Sequence, residues 1–144
     1  MVDADVLFAG AASSSSQSAS GVVLRLSELT VLEGVASVQV VTEAKRNLAV
    51  KVPAAVEALG QLVGACVRVV PDPEPGEVRA MDGRAHPKDL PILVAAVRER
   101  CPVLVTFNEK DFRPGHPDVD VVTPGVLVQR VRRLVARAGL RGGQ

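Results

Sequence analysis

A three-layer α/β sandwich, with a central, mainly parallel sheet of about five short strands flanked by helices, is the fold class this sequence predicts. Three observations carry that expectation. Short apolar, β-branched runs recur at residues 36–41, 67–70, 103–106 and 119–122. Segments with apolar residues at helical spacing lie between them. Strands that alternate with helices build parallel sheets covered on both faces, and such strands read as continuous apolar runs. The length of 144 residues suits one domain over residues 1–144 with a core of its own.

Residues 1–9 contain Val2, Val6, Leu7 and Phe8 and read as a first buried strand. Residues 10–20 are Gly, Ala, Ser and Gln, which suits a loop. Residues 22–32 place Val22, Val23, Leu26 and Leu29 at helical spacing. Residues 36–41 form the second strand, and Thr42 is placed to cap a helix over 43–50. Pro53 opens another helix to about residue 64, and residues 67–70 make the third strand. Residues 71–86, rich in Pro, Gly and charge, form the longest irregular stretch; a loop this long in a small domain is often functional. A helix over 90–100, strands at 103–106 and 119–122, and a last helix from Pro124 to about Ala138 complete the order.

Composition excludes several function classes. Phe8, Phe107 and Phe112 are the only aromatic residues, which argues against modules that read unpaired bases on aromatic platforms. Cys66 and Cys101 cannot build a disulfide scaffold, and no Cys/His cluster suggests zinc; both read as reduced core residues of a cytoplasmic protein. The uncharged stretch at 6–24 holds six Ser and a Gln, so no membrane span is expected. The start lacks the positive charge and apolar run of a signal peptide. Neither a P-loop nor a GxGxxG pattern occurs. The net charge of +1 conceals a bias, because residues 121–144 hold five Arg and no acid.

In a parallel α/β sheet the site lies beyond the carboxyl ends of the strands. The residues expected there are mostly acidic: Asp3 and Asp5 from the first strand, Glu43 after the second, Asp89 before the fourth, Asn108 and Asp111 after it. Carboxylates crowded at one edge raise one another's pKa unless a cation neutralises them. Oxygen-only ligands favour Mg²⁺ or Mn²⁺, and a carboxylate-held divalent ion suits phosphodiester hydrolysis. Each residue also has a plain reading. Asp89 can cap its helix, Glu43 suits a helix start, Asn108 and Asp111 suit turns, and Thr106 can simply end a strand. His86 reads as surface and His116 as part of a turn.

Four segments together resemble the PIN-domain nucleases, a family that includes the VapC-like toxin ribonucleases of bacterial toxin–antitoxin pairs. They are Asp3-Ala4-Asp5-Val6-Leu7, Val41-Thr42-Glu43-Ala44, the stretch from His86-Pro87-Lys88-Asp89-Leu90-Pro91 to Ala96, and Val105-Thr106-Phe107-Asn108-Glu109-Lys110-Asp111-Phe112. The resemblance implies a metal-dependent endoribonuclease that hydrolyses RNA by water, with Mg²⁺ or Mn²⁺ as cofactor. Asp3, Glu43, Asp89, Asn108 and Asp111 would be its catalytic and metal-holding residues, supported by Asp5 and Thr106. It also implies a homodimer and an antitoxin partner. Asn108 departs from the pattern, since many relatives carry Asp there. That leaves open a catalytically degraded PIN-like module that binds RNA or protein. A haloacid-dehalogenase-type phosphatase shares the Asp3-Ala4-Asp5-Val6 opening, but only Met1 and Val2 precede its first acid here.

The last helix adds an expectation about RNA. Val126, Leu127, Val131, Leu134 and Val135 fit a packed stripe, while Arg130, Arg133 and Arg137 share another face and Arg132 points elsewhere. That face reads either as solvated charge near a helix end or as a phosphate track toward the acidic site.

Overall fold

The computed structural model describes residues 1–13 and 18–139, and alternates helices with short parallel strands. β1 (Gly34–Ser37) pairs with β2 (Val67–Val70), and β3 (Val103–Val105) pairs with β4 (Asp120–Val122), both in parallel. Among the described residues these are two two-stranded sheets, so the expected central sheet of about five strands is corrected. Residues 1–3 run between the two pairs. The Val2 amide donates to the Val35 carbonyl at 2.8 Å, the Val105 amide to the Met1 carbonyl at 2.9 Å, and the Asp3 amide to the Val105 carbonyl at 3.0 Å. Val2 makes only an isolated parallel bridge to Val105, because the extended stretch is too short for a longer ladder.

The strand expected over residues 1–9 therefore stops at Asp3. The Asp3 carboxylate accepts from the Ala4 amide at 2.7 Å and starts α1 (Ala4–Ala12). An apolar run enclosed on all sides gives no periodicity that separates strand from buried helix, and Val6 and Leu7 are fully buried here. The loop expected over 10–20 shrinks from both ends, to α1 and to α2 (Ala19–Glu28). Most of the serine run lies outside the described residues.

The second strand also ends early. Ser37 accepts from the Val40 amide through its hydroxyl at 3.4 Å and caps α3 (Val38–Lys51), which leaves Thr42 inside the helix rather than at its start. The valines at 38, 40 and 41 favour strands, but the buried face that Val40 begins outweighs that preference. Val40, Ala44 and Leu48 step by four and are fully buried on the side of α3 that packs on α1. Burying one such leucine contributes about 2–3 kcal/mol.

A single 3₁₀ turn (Pro53–Ala55) and α4 (Val56–Cys66) lead into β2. The stretch at 71–86 is not irregular throughout. It holds α5 (Pro75–Ala80), with Pro75 at the first position and the Glu77 carboxylate accepting from the Glu74 amide at 2.9 Å. α6 (Leu90–Arg98) is largely buried, and a 3₁₀ turn (Glu109–Phe112) after β3 is anchored by the buried Phe112. α7 (Pro124–Arg137) is capped by Thr123. Its expected apolar stripe is only partly packed: Leu127 is buried, whereas Val126, Leu134 and Val135 are exposed. α7 rests on α2, and its apolar positions outnumber what that contact covers. Cys66 and Cys101 are buried and unpaired. No described helix is long and apolar enough to cross a membrane.

Candidate active site

The chain turns at Asp3, Ser37 and Thr106 place three connections at one edge of the strands. There a cleft of about 310 Å³ is lined by Asp3, Asp5, Glu43, Asp89, Asn108 and Asp111, which are the residues singled out from the sequence. Each arrives by a different route. Asp3 is the N-cap of α1 and Asp5 lies in its first turn. Glu43 comes from the second turn of α3, so its expected place at a helix start is corrected. Asp89 precedes α6, yet its carboxylate accepts none of that helix's amides, so the capping role its position offers is not taken up. Asp111 sits in the 3₁₀ turn, where its carbonyl accepts the His86 amide at 2.7 Å and ties the 86–89 segment to the 109–112 turn.

Thr106 joins these parts. Its hydroxyl is fully buried, donates to Asp3 Oδ2 at 2.8 Å and accepts the Asn108 amide at 3.0 Å. Asp5 Oδ2 lies 3.3 Å from the same hydroxyl, accepts the Phe107 amide at 3.0 Å and meets Asn108 Nδ2 at 3.4 Å. Asp5 thus pins the loop after β3 onto α1. Its other oxygen, Oδ1, is buried and makes no hydrogen bond of good geometry, although the Val6 amide is close enough to the carboxylate to favour its charged form. A buried carboxylate oxygen left in that condition is costly unless something else satisfies it.

The electrostatics point the same way. Asp3 is 6% exposed, and its pKa is pushed up to about 7 by burial first and the Asp5 charge second, against the Thr106 hydroxyl and Ala4 amide. Burial also raises Asp5, with the Glu43 charge adding to it. Asp89 is raised by burial, then by Asp111 and Glu43. The acids thus act on one another as a set, as crowded carboxylates must. Among the described residues no three His, Cys, Asp or Glu side chains are already drawn together as a metal cage. The donor set still fits a hard divalent cation, being all oxygen, with the under-satisfied Asp5 Oδ1 among its atoms.

A family model described as PIN domain matches residues 1–110. The chain belongs to the PIN-domain family. PIN domains are nuclease-type folds. No curated protein and no solved structure matches the chain. The matched span takes in Asp3, Asp5, Glu43, Asp89, Thr106 and Asn108 and ends one residue before Asp111.

Arg130, Arg133 and Arg137 are not brought to this cleft. α7 runs back from the carboxyl end of β4, and the Arg130 guanidinium donates to Asp120, the first residue of that strand. The cations that line the PIN-domain cleft are Lys51 and Lys88, with His86, Phe8 and Asn47 beside them. Sequence reasoning missed Asn47 and Lys51 and read His86 as surface. A signal was available, since Glu43, Asn47 and Lys51 step by four and so share one face of a helix.

Proposed function

We propose that this PIN domain is a metal-dependent endoribonuclease whose acidic cleft uses Mg²⁺ or Mn²⁺. The single observation that carries the reading is a cleft of acids whose pKa values are raised by burial and by one another, with Asp5 Oδ1 buried and under-satisfied. Asp3, Glu43, Asp89 and Asp111 would hold the ion. Asp5 would add its Oδ1 to that set, and Asn108, whose Nδ2 meets Asp5 Oδ2 at 3.4 Å, supports the shell without adding a charge. A divalent ion in such a site supplies positive charge that polarises a phosphoryl oxygen and makes water a better nucleophile. The chain's own residues do the positioning. Thr106 holds Asp3 Oδ2 in place, the Phe107 amide holds Asp5 Oδ2, and Lys88 draws on Glu43 at 3.6 Å. Asp89 keeps its carboxylate uncommitted to its own helix.

The same reading extends to partners and setting. Unpaired carboxylates suit the bidentate guanidinium of an antitoxin arginine, as in the toxin of a toxin–antitoxin pair acting in the cytoplasm. The exposed Val126, Leu134 and Val135 of α7 leave apolar surface for a second copy in a homodimer. We read residues 1–144 as one domain, and the acids of the cleft all lie within it.

The test is incubation of the purified protein with single-stranded RNA and Mn²⁺, beside Asp89→Asn and a chelator control. Cleavage is expected in the unmutated protein only with metal, and Asp89→Asn should lower it at least about a hundredfold. No cleavage with Mn²⁺, or equal cleavage by Asp89→Asn, would overturn the proposal and favour a PIN-like binding module.

A further inference from the structure

On α3, two rows of side chains run side by side. Val40, Ala44 and Leu48 form the buried row, and Glu43, Asn47 and Lys51 form the row next to it. All three residues of the second row line the cleft. Four residues of helix advance about 6 Å, so Lys51 stands about 12 Å along the axis from Glu43. The face therefore passes from an acid at the carboxylate cluster, through an amide, to a cation at the far end.

The two lysines of the cleft differ. Lys88 lies 3.6 Å from Glu43 and is claimed by it. Lys51 has no carboxylate partner among the described residues, although acids crowd the same cleft. Its Nζ instead sits 5.7 Å from the centroid of the Phe8 ring, which also lines the cleft. An ammonium over an aromatic face is held weakly and keeps its charge and its donors. The Asn47 amide, half-buried, likewise makes no side-chain hydrogen bond among the described residues.

We propose that Lys51, steadied over Phe8 and backed by Asn47, holds an RNA phosphate a few nucleotides along the strand from the one delivered to the acids. The inference rests on the nuclease reading above and names how the substrate is held. A cleft of carboxylates repels a polyanion, and a free cation at its outer end offsets that repulsion. Phosphates follow one another along a stacked strand at about 3.4 Å of rise. A cation about 12 Å from Glu43 therefore meets a phosphate a few nucleotides away rather than the one at the acids. Such a contact positions the strand and carries no sequence information.

The experiment measures binding of a short fluorescent single-stranded RNA across a salt series, with calcium in place of manganese, for the unmutated protein, Lys51→Gln and Lys51→Arg. Cleavage kinetics in manganese accompany it. Lys51→Gln is expected to weaken binding by about three- to tenfold at low salt and to flatten the logarithmic salt slope by about 0.7, the loss of one phosphate contact. It should raise KM by a similar factor and leave kcat within about twofold. Lys51→Arg should restore both. Lys51 is exposed, so the variant keeps the fold, and an unchanged melting temperature checks that. If the unmutated protein binds and cuts RNA and Lys51→Gln does so with the same slope and KM, the Lys51 assignment is overturned and the nuclease reading stands. If the unmutated protein neither binds nor cuts, both fall together.

Discussion

At the amino ends of the strands, a pocket of about 240 Å³ is lined by Val23, Leu32, Val35, Val103 and Leu127 and rimmed by ions. Glu33 and Glu99 share Arg68 there, at 2.8 and 3.3 Å, and Glu99 also takes Arg98 at 2.9 Å. These hydrogen bonds hold the Glu99 carboxyl below its ordinary pKa. At the carboxyl ends, Asp3, Asp5 and Asp89 are all raised, burial being the largest cause in each. Arginine pairs the acids at one edge, and at the other the acids mostly face one another. Charges arranged to hold a fold are paired, whereas these are left in need of a partner. That difference is the reason the proposed chemistry is placed at the acidic edge although both edges have a hollow.

The contrast can be broken by stability measurements. Folded Asp3 keeps its proton to about pH 7, while an unfolded aspartate gives it up near 3.8. The folded state binds more protons between those values, so this group makes metal-free stability fall as pH rises from about 4 to about 7 and level off above. Asp3→Asn removes the burden. It should raise the metal-free melting temperature at pH 8 by roughly 5–15 °C, corresponding to up to about 4 kcal/mol, and the two proteins should converge at pH 4. Glu99→Gln should act in the opposite sense. Its carboxyl is depressed, so its contribution is present above the ordinary glutamate pKa and is lost as pH falls, and pairing at the half-solvated surface makes the change slight. Melting curves in chelator at both pH values decide this. A lower melting point for Asp3→Asn at pH 8 would remove the distinction between the two edges.

A smaller effect is expected from α7. Arg130 is engaged with Asp120 at the amino end of β4, away from the acids. Replacing Arg130, Arg133 and Arg137 by Gln should change RNA affinity by less than about threefold at fixed salt, less than the loss of Lys51 alone. A drop in the salt slope of two units or more would restore the phosphate track on this helix.

The site was more legible in the sequence than the fold that carries it. Asp3, Glu43, Asp89, Asn108 and Asp111 stand in short motifs whose chemistry does not depend on whether each flank is strand or helix. The flanks were harder. Residues 4–12 and 38–41 are mostly apolar or β-branched, and their helical state is set by which side is buried, Val6 and Leu7 in one and Val40 in the other, rather than by local preference. Asp5 looked secondary because its weight comes from the Phe107 amide and Thr106 hydroxyl, about a hundred residues away in the chain. Lys51 was hidden for a related reason. A helix read over 43–50 stops one residue short of Lys51, whereas α3 runs to it, so the row from Glu43 to Lys51 is cut at its last member.

The most direct measurement is the thermal unfolding of the protein at pH 8 with and without Mn²⁺, repeated for Asp89→Asn. A ligand present at a hundred times its dissociation constant stabilises the fold by about 2.7 kcal/mol. The unmutated protein should therefore melt several degrees higher with Mn²⁺, and Asp89→Asn should lose most of that shift. No Mn²⁺-dependent shift, or an equal shift in Asp89→Asn, would contradict the claim that these acids hold a cation.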